Sequence, residues 1–284
     1  MDPFPGPVVE PEWLRDRPSD ATPRLVIADV RWVPDGTSRE VFERGHLPGA
    51  VLIDADLDLA APPFQGPGRH PLPSPEAFAH SMTRAGIGDD TPVVVYDDAR
   101  GSIAARLWWM LDAIGHPVAL MDGGLEAWDG PLETGPDRNE GPTHSFTPRP
   151  WPREQVADAT AVQTALSGPN VVVVDVRAPE RYRGDIEPFD RRAGHIPGAR
   201  NAPWAGNADP KTGRFLSAEA LRERWSTLGI EDADRVIAQC GSGLTACHAI
   251  LSMRVAGLGQ ARLYEGSWSD WIADPARPIA TGDA

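Results

Sequence analysis

This chain is short of cysteine, of positive charge and of long apolar runs, and each shortage excludes something. Only two cysteines, Cys240 and Cys247, occur in 284 residues. They are too few and too close together to form a disulfide framework, which points to a reducing, cytoplasmic compartment. No apolar run approaches the roughly 18 residues needed to span a bilayer, so no membrane-spanning segment is predicted. Met1 to Pro18 is rich in proline and acids and has no basic region followed by an apolar stretch, which argues against a secretory signal. With 27 Lys and Arg against 41 Asp and Glu, the formal charge is −14. Such a chain repels phosphate backbones and anionic membranes, which disfavours nucleic acid and membrane partners, although a local basic pocket could still hold a small anion.

What is present comes twice. Asp29-Val30-Arg31 followed by Gly45-His46-Leu47-Pro48-Gly49-Ala50 returns as Asp175-Val176-Arg177 followed by Gly194-His195-Ile196-Pro197-Gly198-Ala199. The repeat divides the chain into a first domain over 1–132, a linker over 133–152 rich in proline, and a second domain over 153–284. Within each domain, short β-branched runs alternate with amphipathic segments, the pattern of an α/β fold with a mainly parallel sheet flanked by helices. The strand candidates are 25–30, 50–53, 93–96 and 118–121 in the first copy, and 171–176, 199–202, 236–239 and 261–264 in the second. Ser74-Pro75-Glu76 and Ser217-Ala218-Glu219 read as helix starts, and Gly86 and Gly229 as the matching ends. These pairs share an offset of 143 residues, as do Asp97 and Cys240.

The internal repeat is its own control. Features in both copies are expected to hold the fold, because the copy without a cysteine keeps them: His46 and His195 as turn histidines bonded to backbone, Arg31 and Arg177 as partners of nearby acids. Features confined to the second copy are the functional candidates. Cys240 follows a strand and enters the loop Gly241-Ser242-Gly243-Leu244-Thr245-Ala246, with a helix predicted to begin near Leu244 or Thr245. Successive N–H groups of such a loop form an anion-binding nest, and the helix N-terminus adds its positive end. Both favour negative charge on a sulfur placed there, and a thiolate is the nucleophile. Cys247 falls inside the helical pattern and is expected to pack in the core.

A cysteine phosphatase would place a phosphate-clamping arginine six residues after its cysteine, where this chain has Ala246. Phosphatase and arsenate reductase chemistry is thereby disfavoured. Cationic charge for a substrate must come from outside the loop. Arg181, six residues after Asp175, is the leading source, since the same step from Asp29 reaches Asp35; Arg183, Arg191 and Arg192 extend the basic cluster.

Together these motifs resemble the tandem rhodanese sulfurtransferases over nearly the whole chain. The resemblance implies two rhodanese-like domains, the first inactive, and a second-domain cysteine that takes a sulfane sulfur as a persulfide and yields it to an acceptor. The Cys-Gly-Ser-Gly-Leu-Thr-Ala loop is most similar to the 3-mercaptopyruvate branch, with Leu244 in a valine position. That branch implies a serine acting with a histidine and an aspartate, for which Ser242, His70 and Asp54 are the matches, and it implies that Arg181 binds the substrate carboxylate. A second substrate arginine has no clean match; Arg191 or Arg192 could serve. The expected donor is 3-mercaptopyruvate or thiosulfate, the expected acceptor a thiol, thioredoxin or cyanide, and no metal or organic cofactor is required. The other readings are a thiosulfate sulfurtransferase and a persulfide carrier serving a specific partner.

Overall fold

In the computed structural model, which describes residues 3–18, 22, 24–63, 65–137 and 145–283, the valine-rich runs form two five-stranded sheets. The first contains β1 (Val8–Val9), β2 (Val26–Arg31), β3 (Val51–Asp54), β4 (Val93–Tyr96) and β5 (Val118–Met121), in spatial order β1-β5-β4-β2-β3. The second contains β6 (Val156–Ala157), β7 (Val172–Asp175), β8 (Arg200–Asn201), β9 (Val236–Gln239) and β10 (Arg262–Tyr264), in order β6-β10-β9-β7-β8. The two orders correspond strand for strand, and every pairing is parallel. Helices cover both faces of a parallel sheet, so its central strands are apolar throughout, as Val93-Val94-Val95 and Val236-Ile237-Ala238 are. β1 and β6 have only two residues each, too short for an alternation to show in sequence.

Helix ends follow their caps. Ser74 Oγ accepts from the Ala77 N–H (3.1 Å) at the start of the helix Pro75–Arg84, and Ser217 Oγ accepts from the Ala220 N–H (3.3 Å) at the start of Ala218–Thr227. The helix after Cys240 runs over Ala246–Val255, one or two residues later than its expected start, and is buried from Ala246 to Met253. Cys247 lies inside it, fully buried, with Sγ 3.4 Å from the Gly243 carbonyl. Among the described residues no helix is long and apolar enough to cross a membrane.

The repeated motifs are framework. In the first sheet Arg31 Nε and Nη2 donate to the Asp29 carboxylate (2.5 and 2.8 Å), and Nη2 reaches the Gly45 carbonyl at 3.2 Å. Arg177 repeats this with Asp175 (2.7 Å) and the Gly194 carbonyl (2.8 Å). His46 Nδ1 lies 3.0 Å from the Phe42 carbonyl, and His195 Nδ1 lies 2.8 Å from that of Tyr182. Each imidazole also stacks on the same neighbour's ring, at 3.9 and 3.7 Å between centroids. Both histidines are therefore turn residues that fasten a turn to the helix before it.

The chain separates into two compact units that are not continuous in sequence: 1–60, 73–151 and 211–214 form one, and 61–72, 152–210 and 215–284 form the other. Residues 61–72 thus group with the second sheet. In the proline-rich stretch expected as a linker, 138–144 lies outside the described residues, and 145–151 packs within the first unit. The Phe146 N–H donates to Thr83 Oγ1 (3.0 Å), and the Trp151 indole donates to the Pro73 carbonyl (2.8 Å) and packs 5.2 Å from Phe78.

Candidate active site

Register sets the position of the nucleophile. Asp175 on β7 is paired with Gln239, the last residue of β9, so Cys240 leaves the sheet at the carboxyl end of a central strand, where open parallel sheets place their ligands. The Cys240 side chain is 2% exposed. Its backbone is fixed from the far side by the turn after β10. Ser267 Oγ accepts from the Cys240 N–H (3.0 Å), while the Trp268 and Ser269 N–H groups donate to the carbonyls of Cys240 (3.1 Å) and Gly241 (3.0 Å). The loop then folds over the sulfur, and the Gly243 N–H points at Cys240 Sγ from 3.1 Å. Gly243 has φ +85, and a β-carbon there would lie 2.3 Å from the Glu265 carbonyl oxygen. Only glycine fits both the conformation and the close approach.

Ser242, the loop serine, is 6% exposed, and its Oγ lies 2.6 Å from His70 Nδ1. His70 reaches it because residues 61–72 belong to the second unit, where the Arg69 N–H donates to Ser269 Oγ (3.1 Å) and the Leu72 N–H to Glu265 (2.6 Å). Asp54 is in the first unit, where its carboxylate accepts from the Asp56 and Leu57 N–H groups (2.9 and 3.1 Å) and caps a short helix. Cap residues of this kind satisfy orphan donors of the first turn.

Arg181 comes to the loop from the helix Pro179–Arg183. Its Nη2 donates to both oxygens of the buried Glu187 (2.7 and 2.9 Å). A β-carbon placed on Gly241 would sit 3.2 Å from that nitrogen, so the guanidinium lies directly over the residue next to the nucleophile. Arg177 sits behind, 4.8 Å from the Trp268 ring. Burial works against its charge, but Asp175, Glu187 and Cys240 together hold it more basic than an ordinary arginine. Arg191 is exposed; the other cation over Gly241 is Arg69, whose Nη2 would be 3.0 Å from the same β-carbon.

Arg69 and Ser267 both escaped the sequence reading. A signal for Ser267 existed, since the 143-residue offset pairs it with Gly124. Both adopt positive φ (+51 and +62), and the change from glycine to serine coincides with the appearance of the cysteine it bonds. Arg69 had only its place beside His70 to recommend it.

The first copy shows what the loop is built to hold. Asp97, in the cysteine position, is fully buried, and its carboxylate accepts from the N–H groups of Ala99 (2.9 Å), Gly101 (2.7 Å), Ile103 (2.8 Å) and Ala104 (2.8 Å). Burial nevertheless raises its pKa above the usual carboxyl value, against the pull of those four donors.

Two parallel sheets of matching order, each ending a central strand in an anion-cradling loop, with a cysteine in one loop, define a rhodanese-type α/β protein. The rhodanese-like domain model matches the chain twice, over residues 10–130 and 158–274, and the chain belongs to that family. It is 42% identical over 269 residues to a Pseudomonas aeruginosa protein provisionally named 3-mercaptopyruvate sulfurtransferase, covering 92% of this chain and 94% of that one. It is equally 42% identical over 266 residues to the Mycobacterium tuberculosis protein SseB, provisionally named a thiosulfate sulfurtransferase, with 91% of each covered. Among solved structures, 3-mercaptopyruvate sulfurtransferase from Leishmania major superposes with a TM-score of 0.81 at 27% identity, over 98% of this chain and 77% of that one.

Proposed function

We propose that this protein is a sulfurtransferase that takes sulfur from 3-mercaptopyruvate onto Cys240 and passes it to a thiol, thioredoxin or cyanide. The observation that carries the reading is the loop itself: Cys240 Sγ receives the Gly243 N–H at 3.1 Å while Arg181 stands over Gly241. An anionic donor and a sulfur-borne negative charge are both provided for. The chemistry is assigned to the second domain, 153–284. Residues 1–132 are the copy without a nucleophile, from which His70 is lent.

In the first half-reaction the Cys240 thiolate attacks the thiol sulfur of 3-mercaptopyruvate. The new S–S bond forms as the C–S bond breaks, and its electron pair leaves on carbon as the enolate of pyruvate. Arg181 binds the donor carboxylate and aligns the sulfur with Cys240. Ser242, held at 2.6 Å from His70 Nδ1, is placed to deliver a proton to the enolate carbon, directly or through water. The loop N–H groups hold the persulfide until a nucleophile attacks its outer sulfur and Cys240 departs as thiolate; cyanide leaves as thiocyanate, a thiol as its own persulfide.

Pyruvate release from 3-mercaptopyruvate by wild type, Cys240→Ala and Arg181→Ala tests the reading. The first variant loses all activity, and the second chiefly weakens substrate use, with a raised KM. A clear preference of the wild type for thiosulfate in kcat/KM would replace the donor, and a stable sulfur adduct that turns over slowly with small acceptors would favour a carrier.

A further inference from the structure

Arg69 and Asp190 form a pair that is close and yet incomplete. Arg69 Nη2 lies 3.3 Å from Asp190 Oδ2, and Arg181 Nη2 lies 3.8 Å from the same oxygen. Buried Arg69 Nε and Asp190 Oδ2 nevertheless have no hydrogen-bond partner among the described residues. Buried polar groups left like this are uncommon, because each costs desolvation that no bond returns. Arg181, by contrast, is bound to both oxygens of Glu187. The two guanidiniums share one apolar rest, the Phe189 ring, at 5.4 Å for Arg69 and 5.1 Å for Arg181. They meet over Gly241, next to the nucleophile, and Arg69 keeps 28% of its side chain exposed, so a solute can reach it.

Charges around this point are matched one to one: Arg177 with Asp175, Arg181 with Glu187, Arg69 with Asp190. The Cys240 thiolate is extra. Such a site has two forks to hold one carboxylate and no surplus positive charge to offset a second negative one.

We infer that Arg69 is the second anchor for the donor's anionic group, and that Asp190, by offsetting it, selects a monoanionic 2-oxo acid thiol over dianionic thiosulfate. This rests on the sulfur-transfer reading and adds to it the residue that sets donor charge. A carboxylate entering between Arg69 and Arg181 meets the Nη2 groups of both beside Gly241; a dianion there meets Asp190 within a few ångströms, where the repulsion is worth about tenfold or more in binding at an intermediate dielectric.

The test compares kcat/KM for 3-mercaptopyruvate and thiosulfate in wild type, Asp190→Asn, Arg69→Gln and Arg69→Lys. Asp190→Asn moves the donor ratio about tenfold toward thiosulfate, through KM. Arg69→Gln raises the KM for 3-mercaptopyruvate about tenfold with kcat little changed, and Arg69→Lys recovers part of the loss. A donor ratio in Asp190→Asn within twofold of wild type, or an unmoved KM in Arg69→Gln, overturns the assignment. Wild type alone provides a check should a variant not fold: pyruvate shields Cys240 from iodoacetamide at lower concentration than sulfate does, and the reverse order refutes the proposal. Intact mass separates the two levels of failure. No sulfur adduct on wild-type Cys240 with either donor sinks the sulfur-transfer reading, whereas an adduct with unchanged selectivity sinks only the roles of Arg69 and Asp190.

Discussion

Ser267 holds Cys240 in place: its Oγ accepts the Cys240 N–H at 3.0 Å and donates to the Tyr264 carbonyl at 2.9 Å, from a backbone at φ +51. A non-glycine residue in that region costs about 1–2 kcal/mol, and here the hydroxyl offsets the cost. Ser267→Ala keeps the strain and removes the bond, leaving a buried donor unpaired, so it should destabilise by about 1–3 kcal/mol. Ser267→Gly loses the bond but also the strain, and should be the more stable of the two. Urea unfolding gives the order, and pyruvate release should fall in both.

Ser242 distinguishes the donors by their chemistry. Loss of sulfur from 3-mercaptopyruvate leaves a carbanion that needs a proton, whereas loss from thiosulfate leaves sulfite, which does not. Ser242→Ala should lower kcat for pyruvate formation by about 10²-fold and change thiosulfate turnover far less. Equal losses with both donors would assign Ser242 to holding the loop.

His248 should make the protein acid-sensitive. It is fully buried between Phe215 (4.5 Å) and Trp204 (5.3 Å), with neither ring nitrogen bonded among the described residues. Burial lowers its pKa from 6.5 to about 3. The unfolded chain takes up this proton near pH 6.5 and the folded chain only near 3, so stability is intact above 6.5 and declines as pH falls between these values. The slope approaches about 1.4 kcal/mol per pH unit. His248→Phe should flatten that part of the curve in urea titrations from pH 7 to 4; an unchanged slope would assign the acid sensitivity to other groups.

Asp97 should be a stability residue. Asp97→Ala leaves four N–H groups, three of them buried, without an acceptor and should cost about 3–5 kcal/mol, while Asp97→Asn, which keeps an acceptor oxygen, should cost less. Thermal unfolding followed by tryptophan fluorescence would show the difference.

The sequence is legible where the physics is local. Ser74 and Ser217 cap the helices they precede, the Val93–Tyr96 and Val236–Gln239 runs are strands, and subtraction of the copies placed His46 and His195 in the framework. Charge was harder. Nothing near Arg191 told it apart from Arg69 as a second cation, because what separates them is contact with Phe189, Asp190 and Gly241, more than a hundred residues from Arg69. Edge strands of two residues, Val8–Val9 and Val156–Ala157, owe their state to a neighbour strand rather than to their own pattern.

Asp97 fills its loop with a carboxyl group the chain can never release. The 143-residue offset maps its four donors onto Ser242, Leu244, Ala246 and Cys247 around the cysteine. One loop is therefore permanently occupied, as an enzyme is by an inhibitor on a tether. The other must stand empty at some point in every cycle. A cradle that has to be vacated cannot grip its contents as completely as one that never is, and the difference between two copies of one ancestral loop is the difference between a structural ligand and a passenger.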